Sequence, residues 1–305
     1  MITSPIWLPA TLFAGAMQAW RTAVQRRVSH SLSINAAGLV RYLYGLPFAL
    51  LLLTGYVLTG NAPLPHPDPS FLLFCIGGGL AQIIATNLLI MAFAHRNFVV
   101  GTAYSKTEAV QGAALSFLLM GERLSPLAWA GIGCGVAGVM LLSTGGKRMG
   151  PADFLKALGQ PAALTGIASG FFFALTAIGI RRATQEVGGG DPILAALVVL
   201  AATVSLQTLM QGGYLLLREP AEMRKVFASW RISGQVGLLS ALGSACWFTG
   251  FATAPVALVR IVGQIEVAFT LGFGHFYLGE RMTRGEVMGL LLVGSGVVLA
   301  LAGSL

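Results

Sequence analysis

Charged residues are scarce in this sequence. Only 10% of its 305 residues are Asp, Glu, Lys or Arg, whereas about 25% of residues are charged in a typical soluble domain. Hydrophobic residues make up 55% of the chain, and the mean hydropathy is +0.78. This composition excludes a soluble globular protein and indicates a chain that lies in a lipid bilayer.

Motifs for metal binding and catalysis are also missing. The three cysteines, Cys75, Cys134 and Cys246, lie far apart, which gives neither a disulfide framework nor a paired metal site. The sequence has no His-Glu-x-x-His motif and no evident pairing of a nucleophile with a base. We therefore expect no metal, no cofactor and no enzymatic activity.

Signals for ATP hydrolysis and for nucleic-acid binding are weak. Gly146-Lys147 is not part of a phosphate-binding loop, because Leu141 and Arg148 stand where Gly and Ser or Thr are required. The formal net charge is +8, but in a membrane protein such an excess indicates loops at an anionic leaflet. We expect the lipid bilayer, and no nucleic acid, as the partner of these charges.

What the sequence has in abundance is long apolar stretches. A bilayer core of roughly 30 Å needs about 20 apolar residues per helix. Ten such stretches predict an all-α integral membrane protein; they cover 5–23, 34–59, 70–93, 98–120, 125–143, 161–180, 192–217, 232–252, 256–278 and 285–303. The connections are too short for a folded domain, so the function must reside in the helical bundle.

The sequence contains an internal repeat. Residues 105–123 read SKTEAVQGAALSFLLMGER and residues 263–281 read GQIEVAFTLGFGHFYLGER. Glu108 and Glu266 are 158 positions apart, as are Glu122 and Glu280. At the same offset, two further glycine pairs match, namely Gly131 with Gly289 and Gly138 with Gly296. The chain is therefore predicted to be two copies of one unit.

Each copy is predicted to contain five helices. Because five is odd, the two copies must cross the membrane in opposite senses, which predicts inverted repeats around a central cavity. We place the first repeat at residues 1–145, a connecting loop at 146–160 and the second repeat at 161–305. Inverted repeats of this kind are characteristic of secondary transporters.

The two halves, the Gly-Glu-Arg sequences at 121–123 and 279–281, and the Gly-rich helix after each resemble the EamA-type members of the drug/metabolite transporter superfamily. The resemblance implies a transporter of the bacterial inner membrane that works by alternating access. It implies export of amino acids, aromatic ones among them. From the glutamates within the helices we expect protons as the coupling ion, and we expect a monomer to be sufficient. The alternatives are a multidrug, organic-cation or other metabolite transporter of the same fold, and a scaffold or receptor that transports nothing.

The family pattern and the charge distribution predict opposite orientations. The connections after the odd-numbered predicted helices hold 12 of the 19 Lys and Arg residues, and those after the even-numbered helices hold three. The positive-inside rule then places both termini outside the cell, whereas the resemblance implies that they lie inside. The family also often has a proline at the positions of Glu108 and Glu266.

Charged residues in the middle of a membrane are costly, and they are functional candidates by default. Those in the fourth and ninth predicted helices, together with the glutamines beside them, are Lys106, Glu108, Gln111, Arg260, Gln264 and Glu266. Helical spacing places Glu108 with Gln111, and Arg260 with Gln264, on shared faces. We interpret this group as a substrate or ion contact; the alternative is a structural ion pair such as Lys106 with Glu266.

Other polar and aromatic residues complete the predicted substrate-binding or coupling set. These are Gln18, Arg41, Gln82, Asn87, Tyr104 and Trp247. Each has a structural alternative: the amides can bridge helices, Arg41 can extend to the headgroups, and Trp247 can pack on Phe251 one turn later. Tyr104, one turn before Glu108, offers its phenol to a substrate amine or carboxylate.

Overall fold

A computed structural model of the chain describes residues 2–29, 31–60, 65, 67–94, 104–143, 161–269, 271–272 and 284–303, and in these ranges the regular structure is entirely α-helical. The helices are α1 (Trp7–Ser29), α2 (Ile34–Leu43), α3 (Leu46–Thr59), α4 (Pro69–Ala94), α5 (Glu108–Met120), α6 (Pro126–Ser143), α7 (Pro161–Gln185), α8 (Pro192–Arg218), α9 (Pro220–Ala228), α10 (Trp230–Thr253), α11 (Val256–Gly263) and α12 (Arg284–Ala302).

The apolar helices fit a protein that crosses a membrane several times. Five spans are long and apolar enough: Ile34–Thr59, Pro69–Ala92, Ala163–Gln185, Pro192–Arg218 and Trp230–Thr253. Shorter apolar helices include most of α5, α6 and α12. The all-α membrane fold is thus supported. The number of ten helices stays a prediction, because residues 95–103, 144–160 and 273–283 lie outside the described ranges.

The chain forms two compact units, each built from two chain segments. Unit 1 comprises Met1–Ile83 and Thr176–Ala254, and unit 2 comprises Ile84–Leu175 and Pro255–Leu305. The core of unit 1 includes Leu39 and Val40 of α2, Leu215 of α8 and Val226 of α9, all of them fully buried. The short helices α2 and α9 therefore contribute side chains to the hydrophobic core of unit 1.

The prediction of one continuous helix over 34–59 is wrong in detail. Helix α2 ends at Leu43 and α3 begins at Leu46, with a turn between them. Pro47, in the first turn of α3, has no backbone N–H to donate to the carbonyl one turn earlier, which interrupts an α-helix. The turn packs closely on α10, because a Cβ placed on Gly237 would lie 2.3 Å from the Tyr44 carbonyl carbon.

Two further boundaries differ from the prediction. Helix α1 extends to Ser29 instead of ending at residue 23. The connection at 218–231, predicted to be too short for a folded domain, contains the short helix α9. Pro220 favours a helix start there, because proline's fixed φ suits the first turn. The buried side chains of Met223 and Val226 then hold α9 against the rest of unit 1.

In unit 2, α6 and α12 pack along a seam of glycines. A Cβ on Gly131 would lie 2.6 Å from the Gly296 carbonyl oxygen, and one on Gly138 would lie 2.7 Å from that of Gly289. Only glycine permits such a close approach of two helices. Along the seam, residues 131 to 138 meet residues 296 to 289, so these two helices run antiparallel.

Candidate functional site: a buried charge cluster at two equivalent turns

Two helical segments of unit 2 are interrupted at positions that correspond in the two repeats. Lys106 and Thr107 form a turn before α5, and Gln264 and Ile265 form a turn after α11. The predictions of uninterrupted helices over 98–120 and 256–278 are wrong at these points. Because 264 is 158 positions after 106, the same offset that aligns the glutamates, the two turns occupy equivalent places.

The backbone hydrogen bonds of the two turns also correspond. In the first turn, Thr107 N–H donates to the Tyr104 carbonyl at 3.2 Å; in the second, Ile265 N–H donates to Val262 at 3.1 Å. Both bonds span three residues instead of four, which tightens the helix into a 3₁₀-type turn. The Thr107 hydroxyl reinforces the first turn by donating to the Tyr104 carbonyl at 2.6 Å, an alternative to helical pairing that threonine offers.

Four charged side chains meet at these turns as two ion pairs. Lys106 Nζ lies 3.0 Å from Glu266 Oε2, and Arg260 Nη1 lies 2.6 Å from Glu108 Oε1. The four side chains are between 12% and 20% exposed. Each pair joins a residue of the first repeat to one of the second, so the ion pairs connect the two repeats within unit 2.

The two pairs are related by the repeat, with one substitution. Glu108 corresponds to Glu266, and Lys106 corresponds to Gln264, which cannot neutralise a carboxylate. Arg260 lies one helical turn before Gln264 and supplies the missing positive charge. Its Nη2 also donates to the Phe173 carbonyl at 3.1 Å, and this bond helps to hold the guanidinium in place.

Helix α7 closes over the first turn. A Cβ on Gly170 would lie 2.8 Å from the Ser105 carbonyl oxygen and 3.2 Å from the Glu108 backbone nitrogen. Gln111 Nε2 donates to the Thr107 hydroxyl at 2.8 Å and to the Ile167 carbonyl at 3.4 Å. Gln111 therefore braces the turn against α7.

Tyr104 and Gln264 are buried at these turns. Tyr104 is 2% exposed and Gln264 is 4% exposed. Among the described residues, neither the amide nitrogen nor the amide oxygen of Gln264 has a hydrogen-bond partner. Helix α6 packs close to Gln264, since a Cβ on Gly135 would lie 2.6 Å from its Oε1.

Arg41 and Gln82, two other predicted site residues, line a small cavity within unit 1. The cavity has room for roughly one water molecule, and its lining includes Gln207 and Ser240. Gln207 is fully buried and donates to Gln82 Oε1 at 2.7 Å, while its own Oε1 and the Ser240 hydroxyl have no partner in the described part of the chain. Gln207 and Ser240 were missed from the sequence because nothing in their apolar helices marks the face that they occupy.

Trp247 and Gln18 also meet within unit 1. Trp247 Nε1 donates to Gln18 Oε1 at 3.1 Å, and the Trp247 ring stacks on Phe251 with centroids 5.9 Å apart. Trp247 is 8% exposed. The aromatic pair predicted from helical spacing is thus present, and Gln18 bridges α1 to α10. Asn87, the remaining predicted site residue, is half-buried on α4 in unit 2.

Two charged residues outside the predicted set cap helices. Glu122 Oε2 accepts a hydrogen bond from the Val256 N–H at 3.2 Å, at the start of α11, where a negative charge suits the helix dipole. Arg181 is buried in α7 and donates to the Phe251 carbonyl at 2.7 Å, near the end of α10. Glu280, the repeat partner of Glu122, lies outside the described residues.

The comparison with known families decides the class of protein. The family of EamA-like transporters matches residues 5–144 and 160–302, which cover both halves of the chain. The chain belongs to the EamA-like transporter family. Its members are transporters of the drug/metabolite superfamily, so this chain is a multi-pass membrane protein with a small-molecule substrate.

The comparison with solved structures supports the fold alone. The crystal structure of a protein with 17% sequence identity aligns with a TM-score of 0.69, over 96% of this chain and 98% of that chain. No match was found among curated proteins. The substrate must therefore be argued from this chain's own residues.

Proposed function

We propose that this EamA-family transporter is a secondary active exporter of amino acids that works by alternating access between two inverted five-helix repeats. The observation that carries the proposal is the pair of buried ion pairs, Lys106 with Glu266 and Arg260 with Glu108, at equivalent turns. Charged side chains inside the helical bundle of a membrane protein are expensive and are usually retained for function.

The chemistry of the cluster suits a zwitterion. The cluster contains two carboxylates and two cations. The carboxylate of an amino acid can replace Glu266 or Glu108 as the partner of the cation. Its ammonium can replace Lys106 or Arg260 as the partner of the glutamate, so no charge is buried without a counterion. A buried charge that loses its partner is strongly unfavourable, so a ligand with both charges is favoured over one with a single charge.

The two tight turns are the hinges that we propose for alternating access. A short 3₁₀-type stretch inside a helix often marks a functional hinge, and here both turns lie next to the ion pairs. Exchange of an ion pair for a substrate would release the helices that the pair connects. The repeat of the turn in both halves supports equivalent movements of residues 1–145 and 161–305.

The glycine seam supports the inverted arrangement of the repeats. Gly131 approaches Gly296, and Gly138 approaches Gly289. Since Gly131 corresponds to Gly289 and Gly138 to Gly296, each contact is the repeat image of the other, as in a two-fold interface. Equivalent helices that run antiparallel are expected when the two copies cross the membrane in opposite senses.

An organic cation is the alternative substrate, because it could displace Lys106 or Arg260 from a carboxylate. Such a ligand would leave the displaced cation without a counterion, which the amino acid avoids. If the substrate amino acid is aromatic, Tyr104 and Trp247 are the residues that we propose for contact with its side chain.

Protons are the proposed coupling ion, with Glu108 and Glu266 as the acceptors.

Flux measurements in proteoliposomes test the proposal. Wild-type protein should exchange amino acids, with a rate that depends on a pH gradient, and should exchange sugars and organic cations poorly. Glu108→Gln and Glu266→Gln should remove or decouple the flux while the protein stays folded in detergent. Exchange of organic cations in place of amino acids, or undiminished flux in both variants, would contradict the proposal.

Aromatic contact is tested separately by Trp247→Ala. If Trp247 contacts the substrate, the variant should lose exchange of aromatic amino acids more than that of small ones. An equal loss for both would assign Trp247 to packing against Phe251 and Gln18.

A further inference from the structure

The segment from Arg218 to Arg231, which we term the basic segment, joins two membrane spans. It contains α9 and follows directly from the span that ends at Arg218, and the next span begins at Trp230. The segment therefore lies at the boundary between the bilayer and water. Its charged residues are four cations and two glutamates: Arg218, Glu219, Glu222, Arg224, Lys225 and Arg231.

Both glutamates of the basic segment accept hydrogen bonds from other residues of the protein. Glu219 accepts hydrogen bonds from the Ser33 hydroxyl at 2.5 Å and from Asn35 Nδ2 at 2.7 Å. Glu222 accepts from the Ser33 backbone N–H at 2.8 Å and pairs with Lys225 at 2.6 Å. The carboxylates thus face the start of α2, and one of the four cations is neutralised locally.

The remaining three cations, Arg218, Arg224 and Arg231, are exposed. Large apolar side chains are exposed beside them: Leu217 is 84% exposed, Phe227 57% and Trp230 59%. The Arg231 guanidinium lies over the Trp230 ring, 5.5 Å from its centroid. The outer surface of the segment therefore combines uncompensated positive charge with apolar groups.

We propose that this surface binds the phosphate headgroups of anionic phospholipids, with Arg218, Arg224 and Arg231 as the contacts. Three observations favour a lipid over a soluble anion. Exposed apolar side chains lie beside the cations, the acids that would repel phosphate bind the start of α2, and the surface adjoins the ends of two membrane spans. Aromatic and basic residues at such a boundary are typical anchors at the headgroups.

The proposal does not depend on the nature of the transported substrate. It assigns a lipid requirement to α9, whose inner face holds the start of α2 through Ser33. Anionic lipid bound on the outer face would fix α9 and, through Glu219 and Glu222, the first turn of α2. Loss of the lipid contacts should therefore lower the stability of the folded protein as well as its lipid affinity.

The test compares two triple variants of the detergent-solubilised full chain. Arg218→Gln/Arg224→Gln/Arg231→Gln removes the charges, and the matched Lys variant at the same three positions keeps them. Lipids retained by the protein are counted by native mass spectrometry during titration with phosphatidylglycerol or phosphatidylcholine. Thermal unfolding is followed in the same samples, and circular dichroism checks that each variant is folded.

The wild type and the Lys variant should bind phosphatidylglycerol in preference to phosphatidylcholine and be stabilised by it. Each cation near an anionic surface contributes about fivefold in affinity, so the Gln variant should bind phosphatidylglycerol roughly a hundredfold more weakly. Equal binding of both lipids by the wild type, or unchanged affinity of the Gln variant, would overturn the proposal. Competition by glycerol phosphate, which lacks acyl chains, would instead assign the site to free phosphate and also overturn it.

Discussion

At the two equivalent turns of unit 2, different cations neutralise equivalent glutamates. At the first turn, Lys106 reaches the glutamate of the other repeat, Glu266. At the second, the equivalent residue is Gln264, and Arg260 from the preceding helical turn pairs with Glu108 instead. The glutamates and the backbone hydrogen bonds are preserved, while the cation of the second repeat is an arginine that lies one helical turn earlier than the equivalent position.

The difference shows which features the repeat preserves. A largely buried carboxylate next to a tight turn occurs in both copies, and each carboxylate has a cation partner from the opposite copy. The position and type of the cation vary. We infer that charge neutrality at each turn, and not the identity of the cation, stabilises the fold, which makes the two pairs open to separate perturbation.

Removal of Arg260 should have the largest effect. Arg260→Met would leave Glu108 buried without its cation and would also remove the hydrogen bond to the Phe173 carbonyl. Breaking a buried pair from one side costs about 3–5 kcal/mol. We expect a large loss of thermal stability in detergent, measured by unfolding of the purified protein.

Lys106→Met is the matched change at the first turn. Lys106→Met would remove the bond to Glu266, whereas Arg260→Met would also remove the bond to the Phe173 carbonyl. We expect a smaller loss of stability than for Arg260→Met. A larger loss for Lys106→Met would show that the bond to Phe173 does not decide the difference between the turns.

Substitution of Gly170 should disturb the first turn without changing a charge. The new methyl group of Gly170→Ala would meet the Ser105 carbonyl, at 2.8 Å, and overpacking of this kind costs about 1–3 kcal/mol. Gly112→Ala is the control, because among the described residues its methyl would meet only the Ala174 Cβ, at 3.8 Å. Unfolding temperatures of the two variants should differ, with Gly170→Ala lower; equal temperatures would mean that α7 moves aside freely.

The glycine seam provides a similar comparison away from the charges. A Cβ in Gly138→Ala would lie 2.7 Å from the Gly289 carbonyl oxygen, whereas Gly133→Ala would place its methyl in open space. We expect Gly138→Ala to destabilise the protein by about 1–3 kcal/mol and Gly133→Ala to leave stability nearly unchanged. Similar unfolding of both variants in detergent would argue against close packing of α6 on α12.

The smallest effect is expected at the Lys225–Glu222 pair, whose 2.6 Å contact matches that of Arg260 with Glu108 but lies outside the membrane spans. The hydrogen bond from Lys225, together with that from the Ser33 N–H, lowers the pKa of Glu222 below its ordinary value. The carboxylate therefore stabilises the fold above its unfolded pKa, and this contribution is lost as the pH falls through the folded pKa.

Comparison of Glu222→Gln with the wild type across the acidic range checks that sign. The variant should be slightly less stable near neutral pH, and the difference should shrink as the pH falls. A difference that grows on acidification would contradict the assignment.

Sequence alone predicted the membrane class, the repeat and most of the charge cluster. The spacing of Glu108 and Glu266 marked equivalent positions, and the Lys106–Glu266 pair was one of the predicted alternatives. The Arg260–Glu108 pair was not named among the predicted pairs, because spacing along one helix does not show which residues of another helix lie opposite. The two tight turns were not predicted either, because no proline marks them.

The structural roles of Arg181 and Gln207 were also missed, for related reasons. Arg181 was assigned to a connection, since the preceding apolar stretch was judged to end at residue 180, yet α7 continues to Gln185 and brings the guanidinium to the end of α10. Gln207 lies in a long apolar helix, and its contacts with Gly79 and Gln82 of α4 depend on how the two helices pack. Tertiary packing, which the sequence pattern does not report, decides both positions.

The most direct test of the central claim removes one ion pair as a unit. In Lys106→Met/Glu266→Met neither charge is left alone, so the protein should remain folded and close to wild-type stability. If the pair binds a zwitterion, counterflow of amino acids in proteoliposomes should be lost although the protein unfolds at its normal temperature. Amino-acid counterflow at the wild-type rate in this variant would contradict the account.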